Sequence, residues 1–272
     1  MRNLTALQAV RTAAAAGCIL LGSSCSRARL ELPSGPATAF EAYASAFSQA
    51  SEFCRSVRAL TVDLSISGRA GGERLRGTVI AGLQEPGSLR LEGVSPFGAP
   101  AFVLVASGGN ATLLLPRDGR VLTGVAPEDV LEAIAGIPLD PDDLRAMLSG
   151  CVVADPQPAS GRLYENGWAR VDLGRDSAAY LRRETSGWRI AAGTVGRFSV
   201  EYRLVSNRLP GEVLVWEQEP GEAATELRVR LNEPEINGHL GQQAFTVKVP
   251  PEAEPMSLDD LRRGGPLGSR RK

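Results

Sequence analysis

The stretch Leu60–Gly93, LTVDLSISGRAGGERLRGTVIAGLQEPGSLRLEG, decides the fold class. Leu60, Val62, Leu64 and Ile66 alternate with Thr61, Asp63, Ser65 and Ser67. A period of two puts successive side chains on opposite faces, so this is a strand with one apolar and one wetted side. Gly71-Gly72 supplies a turn, and Leu75, Val79, Ala81 and Leu83 then alternate with Arg74, Arg76, Thr78, Ile80 and Gly82. After Pro86-Gly87, Leu89 and Leu91 sit between Ser88, Arg90 and Glu92. Three antiparallel strands in series make a meander.

The same alternation recurs on both sides of a helical interlude. Strands are expected at 101–106, 111–115 and 121–122, then at 167–173, 178–183, 188–192, 197–205, 212–217, 225–231 and 244–249. Phe198, Val200 and Tyr202 against Ser199, Glu201 and Arg203 give the clearest alternation of all. Helices are expected where the apolar spacing changes to three and four. Over 37–55, Phe40, Tyr43, Phe47, Ala50 and Cys54 form one stripe, and over 128–135 Val130, Leu131 and Ile134 share a face. Asp140 is a good N-cap with Pro141 at the first helical position, and Gly150 closes that helix. About a dozen strands with no strand–helix–strand spacing imply a mainly β (α+β) fold, one antiparallel sheet with helices on a single face. The domain is expected over residues 38–250, followed by a polar, disordered tail over 251–272.

The amino terminus carries a targeting signal. Arg2 and Arg11 precede the apolar run Ala13–Gly22, which is too short to span a bilayer. Gly22, Ser23 and Ser24 then lead into Cys25, as in a bacterial lipoprotein signal over residues 1–24, with Cys25 as the lipidated first residue. An ordinary secretory signal cleaved near Ser24, or use of Cys18, are the alternatives. Residues 25–37 read as the acylated end and a polar tether. Ser26 after the cysteine points to the outer membrane under the enterobacterial sorting rule. In an oxidising compartment the two remaining cysteines, Cys54 and Cys151, are either a disulfide or two buried thiols.

Composition excludes other classes. The 272 residues are 43% hydrophobic and 22% charged with net charge −1, so the chain is neither disordered nor a basic nucleic-acid binder. His239 is the only histidine, and it stands beside Asn237, Gly238 and Gln242 in a loop-like stretch. Asp140, Asp142 and Asp143 read as helix-start charges rather than metal ligands. No nucleophile elbow or phosphate-binding loop is present, so the expectation is no enzyme, no metal and no cofactor.

Two segments, LRLEGVSPFGAPAFVL (Leu89–Leu104) and EDVLEAIAGIPLDPDDLRAMLSG (Glu128–Gly150), resemble the LolB-like outer-membrane lipoprotein receptor family within the LolA/LolB superfamily. The shared order is a strand, a Pro-bulky-Gly loop, a strand, a helix, a Gly-x-Pro linker and a helix ending in Gly; the elements match over about residues 38–205. Met147 stands where that family often has tryptophan. The resemblance implies an incomplete β-barrel with helices plugging its concave side and an apolar groove, held by a lipid anchor at the outer membrane and facing the periplasm. It implies a monomer that binds acyl chains or lipoproteins and accepts them, with a soluble periplasmic carrier as a partner. A structural or sensory envelope lipoprotein of the same fold is the alternative. Leu64, Val79, Leu91, Phe198, Val200 and Tyr202 are candidates for the groove, each also suited to plain core. Pro96, Phe97 and Gly98 form the candidate protruding loop, with Phe97 either an exposed apolar tip or folded back over the barrel edge.

Overall fold

The computed structural model describes residues 29–95, 99–219, 221 and 224–264. The signal region and Cys25 therefore lie outside the described residues, as do Pro96, Phe97 and Gly98. The chain runs β1 (Ala37–Ala39), α1 (Tyr43–Ser56), β2 (Ala59–Ala70), β3 (Glu73–Gln84), β4 (Ser88–Gly93), β5 (Val103–Ser107), β6 (Asn110–Leu115) and β7 (Arg120–Val125). Two helices follow, α2 (Pro127–Ala135) and α3 (Pro141–Leu148). The strands resume as β8 (Ser160–Tyr164), β9 (Trp168–Gly174), β10 (Ser177–Glu184), β11 (Gly187–Val195), β12 (Phe198–Arg203), β13 (Glu212–Glu217) and β14 (Glu226–Ile236). A two-residue strand, β15 (Glu254–Pro255), and α4 (Leu258–Gly264) complete the fold.

All fifteen described strands form one sheet, in the order β1-β8-β9-β10-β11-β12-β13-β14-β2-β3-β4-β5-β6-β7-β15. Every pairing is antiparallel except β15 with β7. The end strands β1 and β15 do not pair with each other, so the sheet is an unclosed barrel, as the resemblance implies. Its inner side chains and all four helices share one apolar core. Both end strands are very short, which limits the unpaired edge offered to other chains.

The helices cap as their sequences dictate. Asp140 accepts from the Asp143 amide at 2.8 Å, and Pro141 occupies the first turn where no amide is needed. α2 ends at Gly136 in the left-handed region, its amide bonded to the Glu132 carbonyl at 2.8 Å. That glycine is required twice over, because a Cβ there would also come 2.4 Å from the Thr225 hydroxyl.

Two expectations at the carboxy-terminal end are corrected. Residues 244–249 are not a strand. A short 3-10 turn, Gln242–Phe245, instead starts a segment that crosses the outer side of β4 and β5. Arg90 holds it by donating to the carbonyls of Ala244 and Thr246, both at 3.0 Å. Val247 and Ala253 cover a small outer cluster of Val103, Val105, Leu114 and Val121. The chain beyond residue 251 is ordered through Gly264 rather than disordered. Ser257 and Asp260 form a capping box: the Asp260 amide bonds to the Ser257 hydroxyl at 3.1 Å while the Asp260 carboxylate accepts from the Ser257 amide at 3.0 Å. That amide, the Ser257 hydroxyl and Arg263 hold the Asp260 carboxyl at a pKa of about 2. Met256 and Leu261 are buried, which fixes the short helix to the domain.

Cys54, on the buried side of α1, and Cys151, just past the end of α3, are joined by a disulfide with 5.5 Å between their Cα atoms. The bond closes 97 residues and ties the first helix to the second half of the chain. Replacing both cysteines by alanine is expected to lower stability by about 4–5 kcal/mol, the loop-closure value for a span of this length. Urea unfolding of the wild type with and without reductant gives the same comparison, and identical midpoints would contradict it.

Candidate functional site

Between the inner face of the sheet and the two central helices lies a small apolar cavity. Leu64 and Ile66 of β2, Leu75 and Val79 of β3, Leu91 of β4, Val213 and Val215 of β13, and Leu227 and Val229 of β14 make its floor. Leu131, Ile134 and Ala135 of α2, with Leu144, Met147 and Leu148 of α3, make its roof. Ile137 and Leu139, from the linker between the helices, and Phe102 complete the wall. Every one of these side chains is apolar, so the space has no partners for water and stays dry.

Its size is informative. The open space is about 100 Å³. An apolar cavity of roughly 150 Å³ takes a benzene molecule, and pockets for larger ligands run to about 300–1,000 Å³. A long acyl chain therefore enters only if the roof helices move outward.

Besides the buried Val130, Leu131, Ile134, Met147 and Leu148, polar contacts at its margins hold the roof. The Arg145 guanidinium on α3 is buried; it donates to the Val57 carbonyl at the end of α1 and pairs with Glu85 and Asp142, each at 3.3 Å. Asp142 also accepts from the Gly87 amide at 2.9 Å, fixing α3 to the β3–β4 turn. On the other side Asp143 accepts from the Ala154 amide at 2.7 Å. α2 is held by α4, where Arg262 lies 3.6 Å from Glu132, and by the close fit of Gly136 against Thr225.

The predicted groove residues divide. Leu64, Val79 and Leu91 line the cavity, but Phe198, Val200 and Tyr202 do not. The chain after α3 fills the space above β11 and β12: a Cβ on Gly193, the partner of Val200, would come 2.5 Å from Val152. Phe198 and Val200 are therefore core. Tyr202 donates its hydroxyl to the Cys151 carbonyl, and burial pushes its phenol well above the usual range. It opens onto a separate cleft of about 500 Å³ beside α1, with Gln49, Phe53, Cys54, Trp188, Arg189 and Arg208. The charges there pair among themselves, Arg189 with Glu184 at 2.6 Å and Arg208 with Glu52 at 3.3 Å.

Alternation alone missed the far wall of the cavity. Val213, Val215, Leu227 and Val229 carry the same period-two signal as β2, but only the pairing of β14 with β2 brings them beside it. The acidic residues at the start of α3 work as a cap and as latches. Among the described residues no group of histidine, cysteine, aspartate or glutamate has a metal-holding arrangement. His239 is exposed.

No protein-family model matches the chain, and no curated protein sequence matches it. Solved structures do share its architecture. A LolA superfamily protein from Nitrosomonas europaea aligns with a TM-score of 0.50 and 11% identity, over 75% of this chain and 97% of its own. A DUF1329 family protein from Desulfovibrio piger aligns at 0.50 and 8% identity, over 76% of this chain and 98% of its own. The fold is thus that of a LolA-like incomplete barrel.

The latches give a pH test. Burial raises the Asp143 pKa above its ordinary value, so ionising this carboxyl costs stability in the folded state. Asp143→Asn keeps an acceptor for the Ala154 amide and removes that cost. The variant is expected to be more stable than the wild type at pH 7. The difference shrinks as pH falls through the carboxylate range, where the wild-type side chain also becomes neutral. Thermal unfolding from pH 3 to pH 8 reads it, and a variant less stable at pH 7 would contradict it.

Proposed function

We propose that this chain is a non-enzymatic envelope lipoprotein that receives acyl chains, of lipids or of other lipoproteins, in the cavity beneath α2 and α3. The observation that carries the reading is a roof of short helices over a wholly apolar void that their packing leaves unfilled, with polar contacts at its edges. Apolar burial supplies the affinity, about 0.8 kcal/mol for each methylene withdrawn from water. Release follows when a membrane or a better-matched acceptor offers the same burial.

The lipoprotein signal ending at Cys25 and the LolB-like segments around Leu89–Leu104 and Glu128–Gly150 favour the finer version of this reading. In that version the protein is anchored by Cys25 in the outer membrane, faces the periplasm, and accepts cargo from a soluble carrier. The LolA-like architecture supports the acyl-binding part.

Ala135 faces the cavity from α2 and is only half-buried, so a larger side chain has room to enter without disrupting the helix. Ala135→Phe is expected to lower uptake of a fluorescent fatty acid roughly tenfold, since about two methylenes are then excluded at 0.8 kcal/mol each. Its melting temperature should stay close to that of the wild type. Unchanged uptake, with no lipid detected by mass spectrometry of the purified wild type, would instead favour a structural or sensory lipoprotein.

A further inference from the structure

The sheet face turned away from the cavity carries basic residues in rows. Arg228, Ser67 and Arg76 stand side by side across β14, β2 and β3, and Glu226, Arg69 and Arg74 form the next row. Arg69 and Arg74 are directly opposed, an arrangement in which like charges repel. Arg69, Arg74 and Arg76 are exposed and have no ion-pair partner among the described residues. With Ser67 and Arg228 they line a shallow depression of about 390 Å³. Farther along β3, between Asp63 of β2 and Glu92 of β4 (the latter paired with Arg90), the same face reaches Ile80, 43% exposed. Diagonally beside it is Val94, 48% exposed, whose amide bonds to the Thr78 carbonyl at 2.8 Å.

We propose that this face docks on a bilayer surface bearing anionic phospholipid headgroups. Guanidinium groups recognise phosphate oxygens bidentately, and side chains on neighbouring strands, about 4.8 Å apart, present several to one charged layer. A small soluble anion satisfies part of that array and leaves Ile80 and Val94 bare. A lipid surface, anionic outside and apolar beneath, meets both features at once. The location adds to the argument. Arg69 and Arg74 flank the β2–β3 turn, where the Gly71 amide bonds to the Thr225 hydroxyl that also packs against Gly136 at the end of α2. Docking on these rows therefore brings the headgroup layer to the rim at which α2 covers the cavity. The inference does not depend on what the cavity holds, because vesicle binding and acyl uptake are measured separately.

The test uses the full chain with Cys25→Ser, so that acylation does not contribute, in vesicle sedimentation. Vesicles of phosphatidylcholine are compared with vesicles of equal phosphatidylcholine and phosphatidylglycerol. Binding is expected only with phosphatidylglycerol and should weaken as sodium chloride is raised. Replacing Arg69, Arg74 and Arg76 together by glutamine should weaken binding by about a hundredfold, close to fivefold per arginine. The thermal midpoint should hold or rise, because the Arg69–Arg74 repulsion is gone, and the three corresponding lysine replacements should keep most of the binding. Equal binding by the glutamine variant, or equal binding to both vesicle types, would overturn the proposal. So would release by inorganic phosphate at an ionic strength that sodium chloride leaves without effect, which would assign the rows to a soluble anion.

Discussion

An open sheet with one apolar face has to be covered, and the rest of this structure follows from how little material is available to do so. Among the described residues, four short helices and a few connecting segments lie over the inner side of fifteen strands. α1 and the chain after α3 fill the region over β8–β12, stapled together by Cys54 and Cys151. α2 and α3 span the region over β2–β4, β13 and β14, and they do not fill it completely. The void beneath them is the direct result of that shortage. It persists because its walls are apolar and because the helices are fastened at their ends.

The fastenings differ in kind, which bears on what can move. α3 is bound covalently just beyond its end and by a buried guanidinium shared among the Val57 carbonyl, Glu85 and Asp142. Beyond its buried Val130, Leu131 and Ile134 and the fit of Gly136 against Thr225, α2 has weaker polar fastenings, half-exposed ion pairs from Arg262 and Arg197 to Glu132. Exposed pairs of this sort are worth about 0–1 kcal/mol each. Of the two helices, α2 therefore has the weaker polar fastening.

Much of this was legible in the sequence where local chemistry decides the outcome. Period-two alternation fixes β2, β3 and β4, and Asp140-Pro141 and Gly136 fix the helix boundaries, because these signals act within a few residues. What failed was long-range. The run 244–249 alternates like a strand, but Arg90, distant in sequence, takes its carbonyls and lays it across the sheet. The polar composition after residue 251 concealed the capping box of Ser257 and Asp260 and the two buried residues that order the segment. Phe198 and Val200 show the strongest alternation yet lie outside the cavity, since alternation gives the inner face but not what Val152 places over it. Cavity membership belongs to the packing of separate segments, and only Leu64, Val79 and Leu91 were identified from the sequence.

Where an acyl chain goes decides the role of the void. A crystal structure of the protein grown with palmitate tests this most directly. The account predicts the alkyl chain between Leu64, Val79 and Leu91 on the sheet and Leu131 on α2, with α2 displaced outward to admit it. An unaltered void, with palmitate absent or bound instead in the cleft beside α1, would contradict it.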